Sequence, residues 1–303
     1  YYDEIDTSEE TFFDNIFQLF PGQSMTIKNG ILKKKIYYKL EDNLIEGKKS
    51  STKIFYKHFK RAVKLRLKSD VKVGFALSGG VDSSSIVTAV NRIDDNKLNS
   101  TFSIVYPNKK IDESSFINSV IKKTGYENFR ITPTATDFKN DLKNFVYFQE
   151  EPIPDLSYFN EFKLRELIRS KNVTVTLEGQ GADEVISGYK SFVLPFFLDL
   201  LKKFKFKKLN LELKKFKHLY NIKLSHLLLR FFYSRIPLKL QLYIKKTLKV
   251  KSISIISKTF FLNQDHKTFP LKKGSYLNSA LLNSLKIYSI PKQLTRADKN
   301  AMA

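Results

Sequence analysis

The stretch VKVGFALSGGVDSS, residues 71–84, has the pattern of a strand that runs directly into a glycine turn. Its first seven residues are a nearly continuous apolar run, which predicts a strand at 71–77 that is covered on both faces. Two glycines, three serines and an aspartate follow it, and a helical spacing of apolar residues begins just beyond. A strand that leads through a glycine turn into a helix is typical of an open parallel sheet.

The chain from residue 51 to about 190 continues this alternation of helices and strands. Further strands are predicted at 101–106, 129–131 and 173–177, and helices at 52–63, 86–93, 137–149 and 158–170. A helix capped by Asp112 and stopped by Gly125 lies between the second and third strands. The inward faces of two helices are predicted to hold Phe55, Phe59, Ala62 and Val63, and Phe116, Ile117, Val120 and Ile121. The fold class is therefore α/β, a doubly wound parallel sheet with flanking helices, followed by a mostly helical C-terminal part.

Residues 1–40 have a different pattern. They read as a helix-like start followed by a hairpin, in which Asn29-Gly30 lies between alternating apolar residues and predicts a type I′ turn. This short β-rich piece is interpreted as the edge of a preceding domain. Since the chain begins at Tyr1 and stops at Ala303 inside an apparent helix, we expect it to be a fragment.

Composition narrows the class of protein. The 303 residues contain no cysteine, which excludes disulfides and thiol chemistry within them and fits a reducing, cytoplasmic location. The apolar run at 192–201 is broken by Pro195 and Asp199, so no membrane span is expected. The net charge of +23 concentrates in residues 201–250, where Glu212 is the single acid, and this region leaves a polyanion partner open.

The turn after the first strand has the composition of an anion-binding loop that lacks a lysine. Its glycines let backbone amides approach an anion, and the next helix adds its positive end. Ser78 and Ser83 can donate hydrogen bonds, whereas Asp82 implies a cation beside the phosphate, most simply Mg²⁺. A kinase-type loop uses a lysine on the β- and γ-phosphates. SGGVDSS instead resembles the pyrophosphate loop of ATP pyrophosphatases, and this interpretation is favoured over the alternative of an ordinary strand-to-helix turn.

A second glycine turn follows the strand predicted at 173–177. The sequence LEGQGADEVISGY, residues 177–189, resembles the signature of the asparagine synthetase family. Weaker resemblances to that family lie in FSIVYP with Asp112-Glu-Ser114, in Glu151-Pro152 and in LTRADKNAMA at 294–303. The resemblance implies an adenine nucleotide hydrolase-like sheet, with residues 1–40 as the edge of a glutaminase domain and 51–303 as a C-terminally truncated synthetase domain.

The resemblance also implies roles for particular residues. The pyrophosphate of ATP would be held by Ser78, Gly79, Gly80, Asp82 and Ser83. The nucleoside would contact Leu77, Ile104, Glu178 and Gly179. Asp82 and Asp183 would ligate Mg²⁺, while Gln180, Asp183 and Glu184 would face the acceptor carboxylate and its adenylate, so that Asp82, Gln180, Asp183 and Glu184 are the expected catalytic residues.

The implied reaction is ATP-dependent amide formation. The aspartate side-chain carboxylate would be adenylated with release of pyrophosphate, and ammonia derived from glutamine would displace AMP to give asparagine. Many relatives have Ser at position 178 and Glu at position 180; a neutral Gln180 cannot accept a proton from ammonia. A ligase for another carboxylate, such as a sugar acid, stays open, as does a homodimer. An RNA-binding or RNA-modifying ATP pyrophosphatase is the third alternative, which the GQGADE turn disfavours.

Overall fold

The structure is a computed structural model that describes residues 9–43, 51–93, 99–220 and 274–303. The chain divides into two compact units, the first formed by Tyr1–Gly188 with Leu282–Ala303 and the second by Tyr189–Leu281. The strands are β1 Gln23–Lys28, β2 Ile31–Ile36, β3 Val73–Ala76, β4 Ser100–Ile104, β5 Glu127–Ile131 and β6 Val175–Leu177. The helices are α1 Thr52–Arg66, α2 Val81–Ile93, α3 Ser114–Thr124, α4 Ala135–Gln149, α5 Ser157–Ser170, α6 Ala182–Ile186, α7 Val193–Lys202, α8 Phe206–Tyr220, α9 Tyr276–Asn283 and α10 Ile290–Ala301.

The first unit is built on a parallel sheet with the strand order β5-β4-β3-β6. In the paired register, Phe75 of β3 lies opposite Thr101 of β4 on one side and Leu177 of β6 on the other. The strands are connected through helices, as parallel pairing requires. The predicted doubly wound α/β fold is therefore confirmed, with β3 and β4 as the central strands.

Apolar residues cover both faces of this sheet, which explains why β3 reads as a continuous apolar run. One face buries Phe75 and Leu77 against residues of α1, α2 and α3, including Val63, Val87 and Ile117. The opposite face buries Phe102, Leu164, Ile168 and Val173, so α5 lies on that side. The sheet is thus enclosed between two helical layers, and its carboxyl ends are left for the site.

The helix after β4 differs from its prediction. Asp112 does not cap it: the N-cap position is Glu113, and Oδ1 of Asp112 instead accepts hydrogen bonds from the backbone N–H of Tyr106 at 3.0 Å and the hydroxyl of Ser114 at 2.8 Å. These bonds lower the pKa of Asp112 and close the loop that follows β4. The predicted inward position of Phe116 is wrong: this side chain is exposed, because the buried face of α3 runs through Ile117 and Val120.

The predicted inward face of α1 is only partly correct. Val63 is buried and Phe59 packs against the core, whereas Phe55 is exposed and stacks on Phe59 with ring centroids 6.1 Å apart. Ala62 is also exposed. Because only the C-terminal half of α1 contributes to the core, the apolar periodicity predicts a longer contact than the helix makes.

The N-terminal region contains the predicted hairpin, but residues 9–20, the described part of the predicted helix-like start, form no helix. β1 and β2 pair antiparallel around a two-residue turn, in which Asn29 and Gly30 have φ of +50° and +74°. In residues 9–20, the hydroxyl of Thr11 accepts from the N–H of Phe13 at 3.1 Å and donates to the carbonyl of Ile16 at 2.8 Å, which holds a turn where the sequence predicts a helix. Residues 1–8 lie outside the described part, and the glutaminase-edge assignment stays a prediction.

The second unit is helical where the structure describes it, as predicted for the chain beyond residue 190. Phe197 and Leu200 of α7 pack against Phe216 of α8. Both carboxylate oxygens of Asp199 accept backbone N–H groups at the start of α9, from Tyr276 at 2.7 Å and Leu277 at 3.0 Å. Of the basic 201–250 region, residues 221–250 lie outside the described part. Among the described residues, no helix combines the length and apolarity needed to cross a membrane.

Candidate functional site

The turn between β3 and α2 is organised by its own hydroxyl groups. Ser78 and Ser83 lie with their Oγ atoms 3.0 Å apart, and the backbone N–H of Ser78 donates to Oγ of Ser83 at 3.2 Å. The N–H of Gly80 donates to Oγ of Ser78 at 3.2 Å. The loop is therefore shaped before any ligand binds, with two hydroxyls and a helix start at one end of the central strand.

The second glycine turn lies directly against the first. A Cβ atom on Gly179 would lie 3.0 Å from the backbone N of Ser83 and 3.1 Å from Cβ of Asp82. Glycine suits this position because a side chain would press the two turns apart by a few tenths of an ångström. The parallel pairing of β3 with β6 explains the meeting, since it brings the carboxyl ends of both strands to one edge.

A further glycine in the same motif supports Asp183. A Cβ atom at position 188 would collide with the carboxylate of Asp183, and the N–H of Gly188 donates to the carbonyl of Asp183 at 2.9 Å. The glycine of the motif's Gly-Tyr pair thus has a physical reason. It leaves room for the side chain of Asp183 beside the cavity.

The two turns enclose a cavity of about 520 Å³ in the first unit. Its walls come from the ends of β3, β4 and β6, from the loop after β4, and from α5 and α10. The lining residues are Ala76, Leu77, Ser78, Gly80, Asp82, Ser83, Phe102, Ile104, Tyr106, Ile111, Glu113, Ser157, Asn160, Glu161, Leu164, Glu178, Gly179, Gln180, Asp183 and Arg296.

Most of the residues predicted for the site line this cavity, and two do not. Those that do are Leu77, Ser78, Gly80, Asp82, Ser83, Ile104, Glu178, Gly179, Gln180 and Asp183. Gly79 lies outside the lining with φ of +87°, and a Cβ there would lie 3.1 Å from Cβ of Phe116 in α3. Glu184 also lies outside the lining and is fully buried.

The buried carboxylate of Glu184 faces the C-terminal helix. Its Oε1 accepts hydrogen bonds from the hydroxyl of Ser289 at 2.5 Å and from the side-chain amide of Gln293 at 2.9 Å. The expectation that Glu184 faces the acceptor is therefore not what the structure presents. Asp183 and Glu184 are adjacent on the short helix α6, so one points to the cavity and the other to α10.

The donor set around Asp82 fits a divalent cation. Burial, followed by the nearby carboxylates of Asp183 and Glu184, raises the pKa of Asp82 above its ordinary value. Two carboxylates that line one cavity and repel each other are relieved by a cation between them. Carboxylate oxygens are the ligands that Mg²⁺ prefers, so Asp82 and Asp183 could hold it together with phosphate oxygens.

A chain of alternating charges runs along the wall of the cavity. Arg165 pairs through Nη1 with Oε1 of Glu178 at 2.5 Å and through Nη2 with Oε1 of Glu161 at 2.9 Å. Oε2 of Glu161 in turn pairs with Nε of Arg296 at 2.7 Å. The guanidinium of Arg296 also lies 5.4 Å from the ring centroid of Tyr158. Burial lowers the pKa of Arg165, but the two carboxylates outweigh burial and hold it above its ordinary value.

Sequence reasoning missed the walls contributed by α5, α10 and the loop after β4. These residues include Glu113, Ser157, Asn160, Glu161, Leu164 and Arg296. One signal was present: Glu161 and Arg165 are four residues apart on the apolar face of α5, where charges are buried only when paired. Arg296 lies within LTRADKNAMA, a segment whose resemblance to the family gives no role to its arginine.

Comparison with known proteins decides the family. The family model described as asparagine synthase matches residues 55–303, which is most of the chain. The chain belongs to the asparagine synthase family. Both glycine turns and the C-terminal segment with Arg296 lie within the matched range.

Three individual relatives are between 28% and 32% identical to this chain over the aligned residues. It is 32% identical over 199 residues to a Methanocaldococcus jannaschii protein assigned as glutamine-hydrolyzing asparagine synthetase 2, covering 65% of this chain and 38% of that protein. It is 28% identical over 187 residues to asparagine synthetase 1 of Bacillus subtilis, covering 59% and 28%. It is also 29% identical over 201 residues to amidase chyE of Penicillium rubens, covering 60% and 30%. The chain thus spans only 28% to 38% of the length of these curated relatives.

A solved structure is also similar. The NH3-dependent NAD synthetase of Campylobacter jejuni aligns with a TM-score of 0.30 at 19% identity, covering 68% of this chain and 97% of that one.

Proposed function

We propose that this chain is the amide-forming part of an asparagine synthetase. In the proposed reaction, the side-chain carboxylate of aspartate attacks the α-phosphorus of ATP, the bond to pyrophosphate breaks, and an acyl-adenylate forms. Ammonia, derived from glutamine elsewhere in the whole protein, then attacks the acyl carbon and AMP leaves. The family membership supports the ATP-dependent ligase chemistry, and aspartate as the acceptor is the finer proposal.

One observation carries this proposal: the two glycine turns meet at the carboxyl ends of β3 and β6, so that Asp82 and Asp183 line the same cavity as Ser78 and Ser83. These lining residues suit a site that holds pyrophosphate as a leaving group. A γ-phosphoryl transfer site of the P-loop kind would place a lysine there, and the described residues that line the cavity include none.

Binding of the leaving group would fall to the loop after β3. The hydroxyls of Ser78 and Ser83, which bond to each other in the structure, can donate to pyrophosphate oxygens instead. The start of α2 adds the positive end of a helix. Mg²⁺ held by Asp82 and Asp183 would neutralise the charge that develops on the departing pyrophosphate.

Gln180 and Asp183 are the candidates to position the acceptor. Both line the cavity, and Gln180 follows directly on Gly179, which touches the phosphate loop. An amide can orient a carboxylate or an ammonium group by hydrogen bonds, but it cannot take a proton from attacking ammonia. Gln180 is therefore proposed as a positioning residue for the acceptor.

A ligase for a different carboxylate is the second candidate. Two observations favour it: the neutral Gln180 in the acceptor turn, and the relatives from Penicillium rubens and Gibberella zeae that are named amidases. Both candidates share the adenylation step and differ in the acceptor that the cavity holds.

The test is acceptor-dependent pyrophosphate release by the intact protein with ATP, Mg²⁺ and ammonia. Aspartate, glutamate and several sugar acids are compared at equal concentration. Aspartate should be preferred over glutamate by more than the roughly 10- to 200-fold that one methylene is worth in a simple apolar pocket, because the reacting oxygen must reach the α-phosphorus in line. Faster release with a sugar acid than with aspartate would replace the first candidate by the second.

A further inference from the structure

The loop between α7 and α8 has a phenylalanine at a backbone position that favours glycine. The N–H of Lys205 donates to the carbonyl of Leu200 at 2.9 Å, and the N–H of Phe204 donates to the carbonyl of Leu201 at 3.0 Å. These two bonds form a Schellman motif at the end of α7, and its left-handed residue is Phe204, with φ of +52°. Because a Cβ atom makes this conformation unfavourable, Phe204 is less stabilising here than glycine would be.

The side chain of Phe204 does not offset this strain by packing in a core. It is 79% exposed, the highest value among the large apolar side chains that the structure describes. Its ring contacts the ring of Phe206, which is also exposed, with centroids 6.1 Å apart. We call Phe204 and Phe206 the apolar tip of the second unit. A strained backbone that presents an aromatic side chain to solvent points to a role outside the fold.

Lysines surround the apolar tip. Eight exposed lysines lie in residues 202–217: Lys202, Lys203, Lys205, Lys207, Lys208, Lys214, Lys215 and Lys217. Lys202 donates to the carbonyl of Gly274 at 2.9 Å, and Lys215 lies 3.4 Å from Glu212, the single acid of this segment. The other six form no ion pair with any residue in the described part of the chain. The tip is therefore flanked by positive charge that the described residues do not compensate.

The lysines of α8 lie on the side of the helix that faces away from α7. Leu209, Leu213 and Phe216 recur at helical spacing and pack with the apolar residues of α7. Lys207 and Lys214 are seven residues apart, about half a turn around the helix from this packed face. The apolar face of α8 is thus used within the second unit, and its charged face is left for a partner.

The partner of this surface must carry negative charge and accept apolar side chains. An anionic membrane surface and RNA both meet this description. The cations of residues 202–217 are all lysine, whereas the planar guanidinium of arginine is the preferred group for nucleic-acid phosphates. Leu201 and Leu211 are also exposed on these helices, and leucine suits acyl chains but gives bases no aromatic face to stack on. The composition therefore favours the membrane.

We propose that the apolar tip and the lysines of residues 202–217 bind the surface of a membrane that is rich in anionic phospholipids. The rings of Phe204 and Phe206 enter the headgroup region, and the lysines contact the anionic headgroups around them. This inference is independent of the proposed function, which uses the cavity of the first unit.

Co-sedimentation of the intact protein with vesicles measures this binding. At about 0.1 M salt, vesicles with roughly 30% phosphatidylglycerol should bind at least 10-fold more tightly than vesicles of phosphatidylcholine alone. Phe204→Gly should weaken binding to the anionic vesicles about 10-fold without lowering the melting temperature, because glycine suits the left-handed backbone and only the inserted ring is lost. Joint replacement of Lys207 and Lys208 by Gln should also weaken it, whereas the same change at the exposed Lys122 and Lys123 of α3 is the charge-matched control.

Insertion of the tip is measured separately by fluorescence. This chain has no tryptophan, so Phe204→Trp adds an indole whose emission is obtained as the difference from the wild-type protein. With anionic vesicles, this emission should shift to shorter wavelength and should be quenched by lipids with brominated acyl chains. Tyr147→Trp on α4, where the ring is also exposed, should show neither change.

Three results would overturn the proposal. The first is equal binding to both kinds of vesicle, and the second is binding to anionic vesicles that Phe204→Gly leaves unchanged. The third is an RNA oligonucleotide that binds more tightly than the anionic vesicles and whose binding Phe204→Gly weakens, since that result assigns the tip to nucleic acid.

Discussion

At the scale of single residues, Asp82 has a proposed role in the reaction and is expected to destabilise the metal-free fold. It lines the cavity from the turn between β3 and α2, and burial together with Asp183 and Glu184 raises its pKa. The ionised carboxylate is thus disfavoured in the metal-free fold. A residue that destabilises the empty protein is expected where charge is needed for a ligand.

Asp82→Asn should abolish pyrophosphate release and raise the melting temperature of the metal-free protein by about 1 to 3 °C. With a raised folded-state pKa, the stabilising contribution of Asp82 is present below its unfolded pKa and is lost as the pH rises through the folded value. The gain from Asp82→Asn should therefore be near zero below the ordinary aspartate pKa of 3.8 and should grow as the pH rises above it. Calorimetric scans in EDTA at a series of pH values measure the change in melting temperature, with the exposed Asp70→Asn as control. A pH-independent gain, or wild-type turnover in Asp82→Asn, would contradict the proposed role.

Gly188 is a residue whose importance lies in the space it leaves. Gly188→Ala places a methyl group onto the carboxylate of Asp183, so we expect Asp183 to move from the cavity. Pyrophosphate release should fall at least roughly 10-fold, with a loss of about 1–3 kcal/mol in unfolding free energy. The exposed Val185→Ala on the preceding helix is the control for both measurements. Full activity in Gly188→Ala would show that the position of Asp183 is unimportant.

At the scale of elements, the C-terminal helix α10 fixes the acidic turn of α6. Ser289 and Gln293 donate to the fully buried Glu184, and the neighbouring Asp183 takes its direction from the same short helix. Asn300, also fully buried, accepts from the amide of Gln149 at 2.9 Å and thereby joins α10 to α4. α10 is therefore anchored near both of its ends, to α6 through Glu184 and to α4 through Gln149.

Removing a donor to this buried carboxylate should be costly. Gln293→Leu is expected to lower the unfolding free energy by about 1–3 kcal/mol and to reduce pyrophosphate release, because Glu184 loses a partner. Chemical denaturation of Gln293→Leu, Glu184→Gln and the double variant gives the coupling between them. The exposed Leu294→Ala serves as control. Strictly additive effects would show that the pair does not act as a unit.

The sequence predicted elements where a local signal existed. The apolar run of β3, the glycine turns and Asn29-Gly30 each determine their conformation within a few residues. The contact between Glu161 and Arg296 in the cavity wall could not be predicted in this way, since Arg296 meets Glu161 only when α10 packs on α5. The placement of Glu184 failed for a related reason: two adjacent residues on a helix face different ways, and only packing decides which one meets the cavity.

At the scale of the whole molecule, the chain is a sheet-based unit with the candidate site and a helical unit. The site depends on residues from 76 to 296, which is consistent with a family match to residues 55–303. The homodimer, the cytoplasmic location and the exclusion of nucleic acid stay predictions. The role of the basic 201–250 region is likewise open to measurement, through the salt dependence of RNA binding.

The nitrogen source is a property of the whole protein. This chain contains no cysteine and so has no thiolate with which to attack glutamine. We expect the 303-residue chain to form no glutamate from glutamine, while any amide it makes depends on ammonia. Glutamate production is measured with and without ATP, and glutamine hydrolysis by this chain alone would show that the domain assignment is wrong.

In the proposed reaction, the cavity activates a carboxylate by adenylation. The most direct test supplies the intact protein with ATP, Mg²⁺, ammonia and aspartate labelled with ¹⁸O in its side-chain carboxylate, and analyses the nucleotide product by mass spectrometry. Adenylation followed by amide formation predicts AMP that carries one ¹⁸O atom, with pyrophosphate as the other product. ADP with phosphate, or AMP without the label, would contradict the account.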